Sequence, residues 1–377
     1  RLTTILLTHT TPTGRATSEQ LYGDTVLRAY LPYDYPFAAN RFLRHFKPQL
    51  GILMETEIWF NLIRACRATG TPLLLLNARL SEKSARGYAH FARLTRDALG
   101  ELAAVAAQTG DDAARLTELG ARNVAVTGNL KFDIEPPPAL LELGRQMREQ
   151  FGAGRKVFLA ASTRDGEEAL LLDALFGSLS SSPTTNAQTT NETPGSCRGE
   201  FIRPRANKFA PAESQHEAGN LLVVIVPRHP QRFAEVAALL ERRGIPFRRR
   251  SELLQSDILP PEIQAVLGDS MGEMFAYYAA ADLAFIGGSL LPYGGQNLIE
   301  ACAAGTPVLI GPHTYNFAEA TQLAVAAGAA MQLGKGSELA AELQRLLDNP
   351  DALHEMRRQC AGFIEANRGA TAKSLQI

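Results

Sequence analysis

Short apolar runs recur along this chain, none of them alternating with polar residues, and helix-like stretches separate them. Ile5–Leu7, Leu50–Met54, Leu73–Leu76, Val105–Ala107 and Val124–Thr127 form a first series. Val157–Ala160, Leu221–Val226, Ala265–Leu267, Leu283–Ile286 and Val308–Ile310 form a second. A run that is apolar at successive positions fits a strand buried on both faces. Strands that alternate with helices make a parallel sheet wrapped by those helices. The pattern therefore predicts two α/β halves, each with a parallel sheet, and a ligand cleft between them.

Length supports two halves, because 377 residues exceed what one core of ~250–300 residues holds. The domains expected are 1–135, a linker over 136–155 marked by Pro136-Pro137-Pro138, and 156–350. A C-terminal helix over 351–377 is expected to return to the first domain. The stretch 178–220 is polar and aperiodic, and is expected to be a surface insertion. The chain opens on Arg1, inside a strand-like run (Leu2–Leu7), so further residues upstream of Arg1 are expected.

With 45% hydrophobic residues, 20% charged residues and a formal net charge of -1, no overall field draws the chain to nucleic acid or anionic lipid. Arg248-Arg249-Arg250 lacks interleaved aromatics, so no nucleic-acid partner is expected. The four cysteines show no metal-ligand or disulfide spacing, which fits a reducing compartment; no metal and no cofactor are expected. No apolar run approaches the ~18 residues of a spanning helix.

Chemistry concentrates where strands end. Gly287 to Glu300 reads as a glycine-rich turn into a helix beginning near Gln296, whose free amides suit a phosphate. Glu300 lies one turn after Asn297 and can accept hydrogen bonds from a ribose diol; a solvated carboxylate is the alternative. After the strand Leu221–Val226 come Pro227, Arg228 and His229, where a guanidinium fork can meet a phosphate. Met271, Gly272 and Glu273 follow another strand; Ser270 and Glu273 also have capping-box spacing. In the first half, Thr11, Thr13, Gly14 and Arg15 can hold an anion or simply cap a helix. Glu55 and Glu57 flank Thr56 at a strand end beside Trp59, and Lys131 lies near the end of the first half. Acids and a lysine so placed suit acid/base work or charge stabilisation, or are solvated side chains.

Eight strings in order carry a resemblance: TTPTG at 10–14, METEIW at 54–59, NARLSEKSARGY at 77–88, TGNLKFD at 127–133, AASTRDGEE at 160–168, VPRHPQRF at 226–233, GDSMGE at 268–273 and GGSLLPYGGQNLIE at 287–300. Together they resemble the 3-deoxy-D-manno-octulosonic acid (Kdo) transferases of lipopolysaccharide biosynthesis, which have the GT-B glycosyltransferase fold. The resemblance implies two Rossmann-like domains with parallel sheets facing a central cleft. It implies transfer of Kdo from CMP-Kdo to a lipid A precursor (lipid IVA), inverting and metal-independent. The second domain would bind CMP through Pro227, Arg228, Met271, Gly272, Glu273, Asn297, Leu298, Ile299 and Glu300. Glu55 and Lys131 match positions that support the transition state, and the first domain would take the lipid acceptor, with Thr11, Thr13, Gly14, Arg15 and Glu57 as candidates.

The family's general base sits in a Ser-Val-Gly-Glu motif upstream of TTPTG, after a membrane anchor; both are expected outside this chain. The resemblance therefore implies the cytoplasmic face of the inner membrane for the full-length protein. The sequence departs from the family at Arg164, Gln296 and Ala301-Cys302. Two other readings stay open: another GT-B nucleotide-sugar enzyme, such as a UDP-sugar transferase or epimerase, and an inactive nucleotide-binding fragment.

Overall fold

The computed structural model describes residues 4–152, 154–177, 221–254 and 257–377. The expected insertion at 178–220 lies outside them. The chain divides into two compact units, Arg1–Ile134 with Glu365–Ile377, and Glu135–Ile364. Both are α/β units with parallel strands.

The first unit holds β1 (Leu6–His9), β2 (Leu27–Tyr30), β3 (Gly51–Met54), β4 (Leu73–Ala78), β5 (Ala104–Ala107) and β6 (Val124–Val126). They form two sheets, β1-β2 and β3-β4-β5-β6, each wholly parallel. The core lies around the larger sheet, where Leu53, Leu73, Leu75 and Val105 pack with Leu62, Ile63 and Cys66 of the helix Phe60–Thr69. The Asp34 carboxylate caps that helix, accepting the Asn61 and Leu62 N–H groups at 3.0 and 2.9 Å. The β1-β2 pair is different, because among the described residues none of its apolar side chains is buried. On β3, Ile52 and Met54 are 52% and 42% exposed.

Several boundaries differ from the sequence expectation. Among the described residues the first strand begins at Leu6, not at Ile5. After β4 the amphipathic sequence over 81–99 forms two helices, Glu82–Ala89 and Ala92–Gly100. At the break the Tyr88 carbonyl is taken by the Thr95 hydroxyl at 3.0 Å, a local bond that competes with helix continuation.

The second unit has one parallel seven-stranded sheet in the order β13-β12-β11-β7-β8-β10-β9. Its strands are β7 (Lys156–Thr163), β8 (Leu221–Pro227), β9 (Phe247–Arg249), β10 (Ala265–Leu267), β11 (Leu283–Ile286), β12 (Val308–Ile310) and β13 (Ala330–Gln332). Residues 157–163 of β7 and 222–227 of β8 are all buried, as their unbroken apolar runs require. From β7 the chain adds β8, goes on to the edge strand β9, returns to place β10 between β8 and β9, then crosses to β11 and builds the other way. The switch point therefore lies between β7 and β11, and ligands of such sheets bind outside the carboxyl ends there.

Residues 136–155 are not a linker. They hold the helix Pro138–Phe151, whose Met147 and Phe151 are fully buried. Pro138 occupies its first turn, where a missing N–H costs nothing, so the proline run starts a helix instead of separating domains. At Gly144 this helix presses on the helix Met274–Ala280 so closely that a Cβ would stand 2.7 Å from the Ala276 carbonyl oxygen. At the other end, the helix Pro350–Asn367 gives way at Gly369 (φ 97°) to the short helix Ala370–Ser374. The Asp133 carboxylate accepts the Gly369 and Thr371 N–H groups at 2.7 and 2.5 Å, so the C-terminal residues are tied into the first unit. Among the described residues no helix is long and apolar enough to cross a membrane.

Candidate functional site

At the switch point of the second unit, β8 ends on Pro227, and the Arg228 N–H donates to the Thr163 carbonyl at 3.0 Å. That bond fixes the backbone and leaves the Arg228 side chain exposed. Arg164 follows β7, and its guanidinium lies 4.9 Å from the centre of the Tyr293 ring and 3.2 Å from His229 Nε2. Burial, then the charges of Arg164, Arg228 and Arg232, hold the His229 ring below its ordinary pKa. Three guanidinium charges thus act on one imidazole, with Arg164 in direct contact. Arg232 is neutralised by the buried Glu168 carboxylate at 2.6 Å, with Glu235 also in range. Arg164 and Arg228 remain to meet an anion.

Glu300 is the acidic member of the same place. Burial raises its pKa, while the Asn297 hydrogen bond and the Arg228 charge act in the opposite direction. Asn297 Nδ2 donates to Glu300 Oε1 at 3.0 Å, and Asn297 Oδ1 accepts the Ile299 N–H at 3.1 Å. The Arg228 charge thus acts on the Glu300 carboxylate.

The helix expected near Gln296 begins at Ile299 and ends at Ala303. Five residues carry little macrodipole, and Asn297 already occupies one of the first free amides. The expected helix-terminus phosphate site is thus not formed. Leu298 and Ile299 are fully buried, so their side chains are core and only their backbone can approach a ligand. Met271 is exposed, and Gly272, at φ 81°, takes a turn that other residues rarely adopt. Glu273 is already engaged, accepting the Ser270 hydroxyl at 2.6 Å and pairing with Arg250 at 3.3 Å. Ser270 therefore bonds a carboxylate, not the backbone of a capping box.

Sequence reasoning nominated no residue from 164–168, yet Glu167 organises the turn. It is 0% exposed, and its carboxylate accepts the N–H groups of Arg164, Gly288 and Leu290 at 2.9, 2.6 and 2.9 Å. It stitches the end of β7 to the glycine turn after β11. A glutamate in a helix's first turn reads as an ordinary N-terminal acid, so the residue gives no signal of its own.

In the first unit, Glu55 follows β3 with φ 58°, a left-handed conformation that costs a non-glycine residue roughly 1–2 kcal/mol. Its N–H donates to the Leu76 carbonyl at 3.0 Å, and Oε1 lies 2.9 Å from Lys131 Nζ. Lys131 is held by a short 3-10 turn, Leu130–Asp133, whose first amide donates to the side chain of buried Asn77 at 3.0 Å. The fold thus brings Glu55 and Lys131 together from sequence positions far apart.

The other first-unit candidates have local partners. Thr11 caps the helix Pro12–Tyr22, accepting the Gly14 N–H at 3.1 Å. The Thr13 carbonyl accepts the Thr17 hydroxyl at 3.0 Å. Arg15 pairs with Glu19 at 3.1 Å and lies over Tyr30. Glu57 accepts the Trp59 indole N–H at 3.3 Å. Ordinary capping accounts for Thr11 and Gly14.

Residues 1–134 match the family model described as 3-Deoxy-D-manno-octulosonic-acid transferase (kdotransferase). A 3-deoxy-D-manno-octulosonic acid transferase of Bordetella pertussis is 42% identical over 376 residues, 98% of this chain and 79% of that protein. The chain belongs to the Kdo transferase family. The Haemophilus influenzae protein of the same description is 32% identical over 99% of this chain and 79% of its own length. Among solved structures, a glycosyltransferase from Rickettsia africae superposes with a TM-score of 0.56 at 13% identity, over 99% of this chain and 89% of that one. That likeness speaks for the fold alone, which is of the GT-B class. As a Kdo transferase family member the chain is a glycosyltransferase.

Proposed function

We propose that this Kdo transferase takes Kdo from CMP-Kdo and transfers it to a lipid A precursor, lipid IVA, at the cytoplasmic face of the inner membrane. The observation that carries the donor assignment is the shared setting of Arg228 and Glu300 beside the switch point. Arg228, with Arg164 and His229 next to it, takes the CMP phosphate. Glu300, oriented by Asn297, accepts the ribose hydroxyls. Pro227, Met271, Gly272 and the backbone of 297–299 shape the rest of the nucleotide site, and Glu273 acts from its bonds to Ser270 and Arg250.

As the bond from the anomeric carbon to the phosphate oxygen breaks, negative charge grows on CMP, and the guanidiniums stabilise it. The acceptor hydroxyl attacks the opposite face, which inverts the anomeric carbon, and gives its proton to the general base that the resemblance assigns to a Ser-Val-Gly-Glu motif upstream of TTPTG. Glu55 and Lys131 support the transition state from the first unit. Thr11, Thr13, Gly14, Arg15 and Glu57 are the acceptor-side candidates, with Arg15 and Glu57 the ones whose side chains offer charge.

Calorimetric titration with CMP and UDP, alongside a transfer assay with CMP-Kdo and lipid IVA, tests this reading. CMP binds and UDP does not if it is right. Arg228→Ala weakens CMP binding by about 10- to 100-fold, since a charged hydrogen bond is worth ~1.5–3 kcal/mol. Equal affinity for both nucleotides, or an unchanged CMP affinity in the variant, refutes the donor assignment.

A further inference from the structure

The amino ends of the second unit's strands carry another cluster of charge, at the opposite edge of the sheet from Arg228. A cavity of about 520 Å3 is lined there by Arg148, Arg155, Lys156, Asp282, His354 and Arg357, among others. Lys156 opens β7, Asp282 immediately precedes β11, and Arg148 comes from the helix Pro138–Phe151. His354 and Arg357 come from the helix Pro350–Asn367.

The charges do not balance. Asp282 pairs with Arg148 at 2.8 Å and with Arg357 at 3.4 Å, while Lys156 pairs with Asp348 at 2.6 Å. Four fixed cations, Arg148, Arg155, Lys156 and Arg357, therefore meet two carboxylates, an excess of two positive charges before His354 is counted. Arg155 accounts for the sharpest part of the excess. It is 9% exposed, and its Nη2 donates to the Leu221 and Ile263 carbonyls at 3.2 and 2.6 Å. Its Nε and Nη1 have no partner, and no carboxylate pairs with it among the described residues. A buried cation without a counter-ion is costly, and burial indeed depresses its pKa.

Arg357 is loosely held. Its bonds to the Ala281 and Asp282 carbonyls and to the Asp282 carboxylate all lie at 3.3–3.4 Å, so its fork can turn to an incoming oxyanion. Leu347 and Leu353 also line the cavity, giving an organic group somewhere to rest.

We propose that this cavity is a second anion site, which takes the phosphate group of a small organic ligand or a lipid headgroup. Phosphate is favoured over a monoanion because its two charges match the excess, and guanidinium forks with a lysine match its oxygens.

The test uses the full chain with CMP saturating, so the nucleotide site is filled. Inorganic phosphate is titrated by calorimetry at ionic strength held constant with chloride. Saturable binding is expected, with at least a 10-fold loss of affinity in Lys156→Ala/Arg357→Ala, whose CMP affinity is unchanged. If the double variant does not fold, Arg357→Gln alone, at a partly exposed position, shows the same loss. In a second arm, phosphatidylcholine vesicles with and without phosphatidic acid are sedimented with the protein. Capture that needs phosphatidic acid and is lost in the variant assigns a lipid phosphate; phosphate binding without capture assigns a soluble one. Absence of phosphate binding in both arms, competition by CMP, or undiminished binding in the variants overturns the proposal.

Discussion

At the scale of single residues, Glu300 combines a cost with a use. Burial raises its pKa, so the folded state holds the proton more tightly than the unfolded chain does. A group raised in this way favours folding below its unfolded pKa, and that favour is lost as pH rises through the folded value. At neutral pH the ionised carboxylate therefore costs stability. Glu300→Gln should melt higher than the native chain at pH 7, with the gap closing towards pH 4, and should bind CMP more weakly. Thermal melts across pH 4–8 check the first part, and CMP titration checks the second.

Glu167 acts through the backbone it holds. In Glu167→Gln, an amide NH2 would face N–H donors, leaving a buried group unsatisfied at a cost of about 1–3 kcal/mol. Chemical denaturation should show that loss, and CMP affinity should fall although residue 167 is a positioning residue. Lys131 predicts the reverse. Its pair with Glu55 is partly exposed, so Lys131→Met should change stability by under about 1 kcal/mol. If it stabilises charge in the transition state, kcat should fall by about 100-fold with CMP affinity intact, which steady-state kinetics and titration separate.

Among the elements, the tie between Asp133 and the C-terminal helix is the one most open to test. Burial raises the Asp133 pKa, but bonds from Thr371, Gly369 and Ala370 outweigh that and hold it below its ordinary value. A carboxylate lowered in this way stabilises the fold above its unfolded pKa, and the gain is lost as pH falls through the folded value. Asp133→Ala should cost about 1 kcal/mol, as a lost helix cap does, and should speed amide exchange over residues 369–377. Acid should produce the same loosening in the native chain and none further in the variant.

Elements differ in how plainly the sequence shows them. The central strands β7 and β8 were legible because burial on both faces forces an unbroken apolar run. Phe247–Arg249 and Ala330–Gln332 were not, since an edge strand shows a half-exposed, mixed face; β9 reads as a basic cluster. Pro136-Pro137-Pro138 misled because proline signals a helix start as readily as a break. Within the site, Arg228 and Glu300 could be read from strand-end position and spacing, and the turn that Glu167 braces could not. The meeting of Glu55 with Lys131 comes from tertiary structure, and only the family resemblance had linked them.

On the scale of the whole molecule, the two units are unequally built. The second buries its strands under helices on both faces, while the first places its core around β3-β4-β5-β6 and leaves β1-β2 without buried apolar side chains. Two paired strands whose apolar side chains, Leu6, Leu7 and Ala29 among them, are at most half-buried are marginal in water. Local opening should therefore begin at β1-β2, while β7 and β8 remain protected until global unfolding. Hydrogen exchange followed by mass spectrometry should show that order.

The uncovered Ile52 and Met54 reach further than the first unit's own stability. Oily side chains on a strand turned towards solvent make a tacky face, and concentrated stocks of this protein would self-associate through it. Salting-out would worsen the stickiness and mild detergent would relieve it, with Ile52 and Met54 acting beside other exposed apolar side chains such as Phe37 and Ile258.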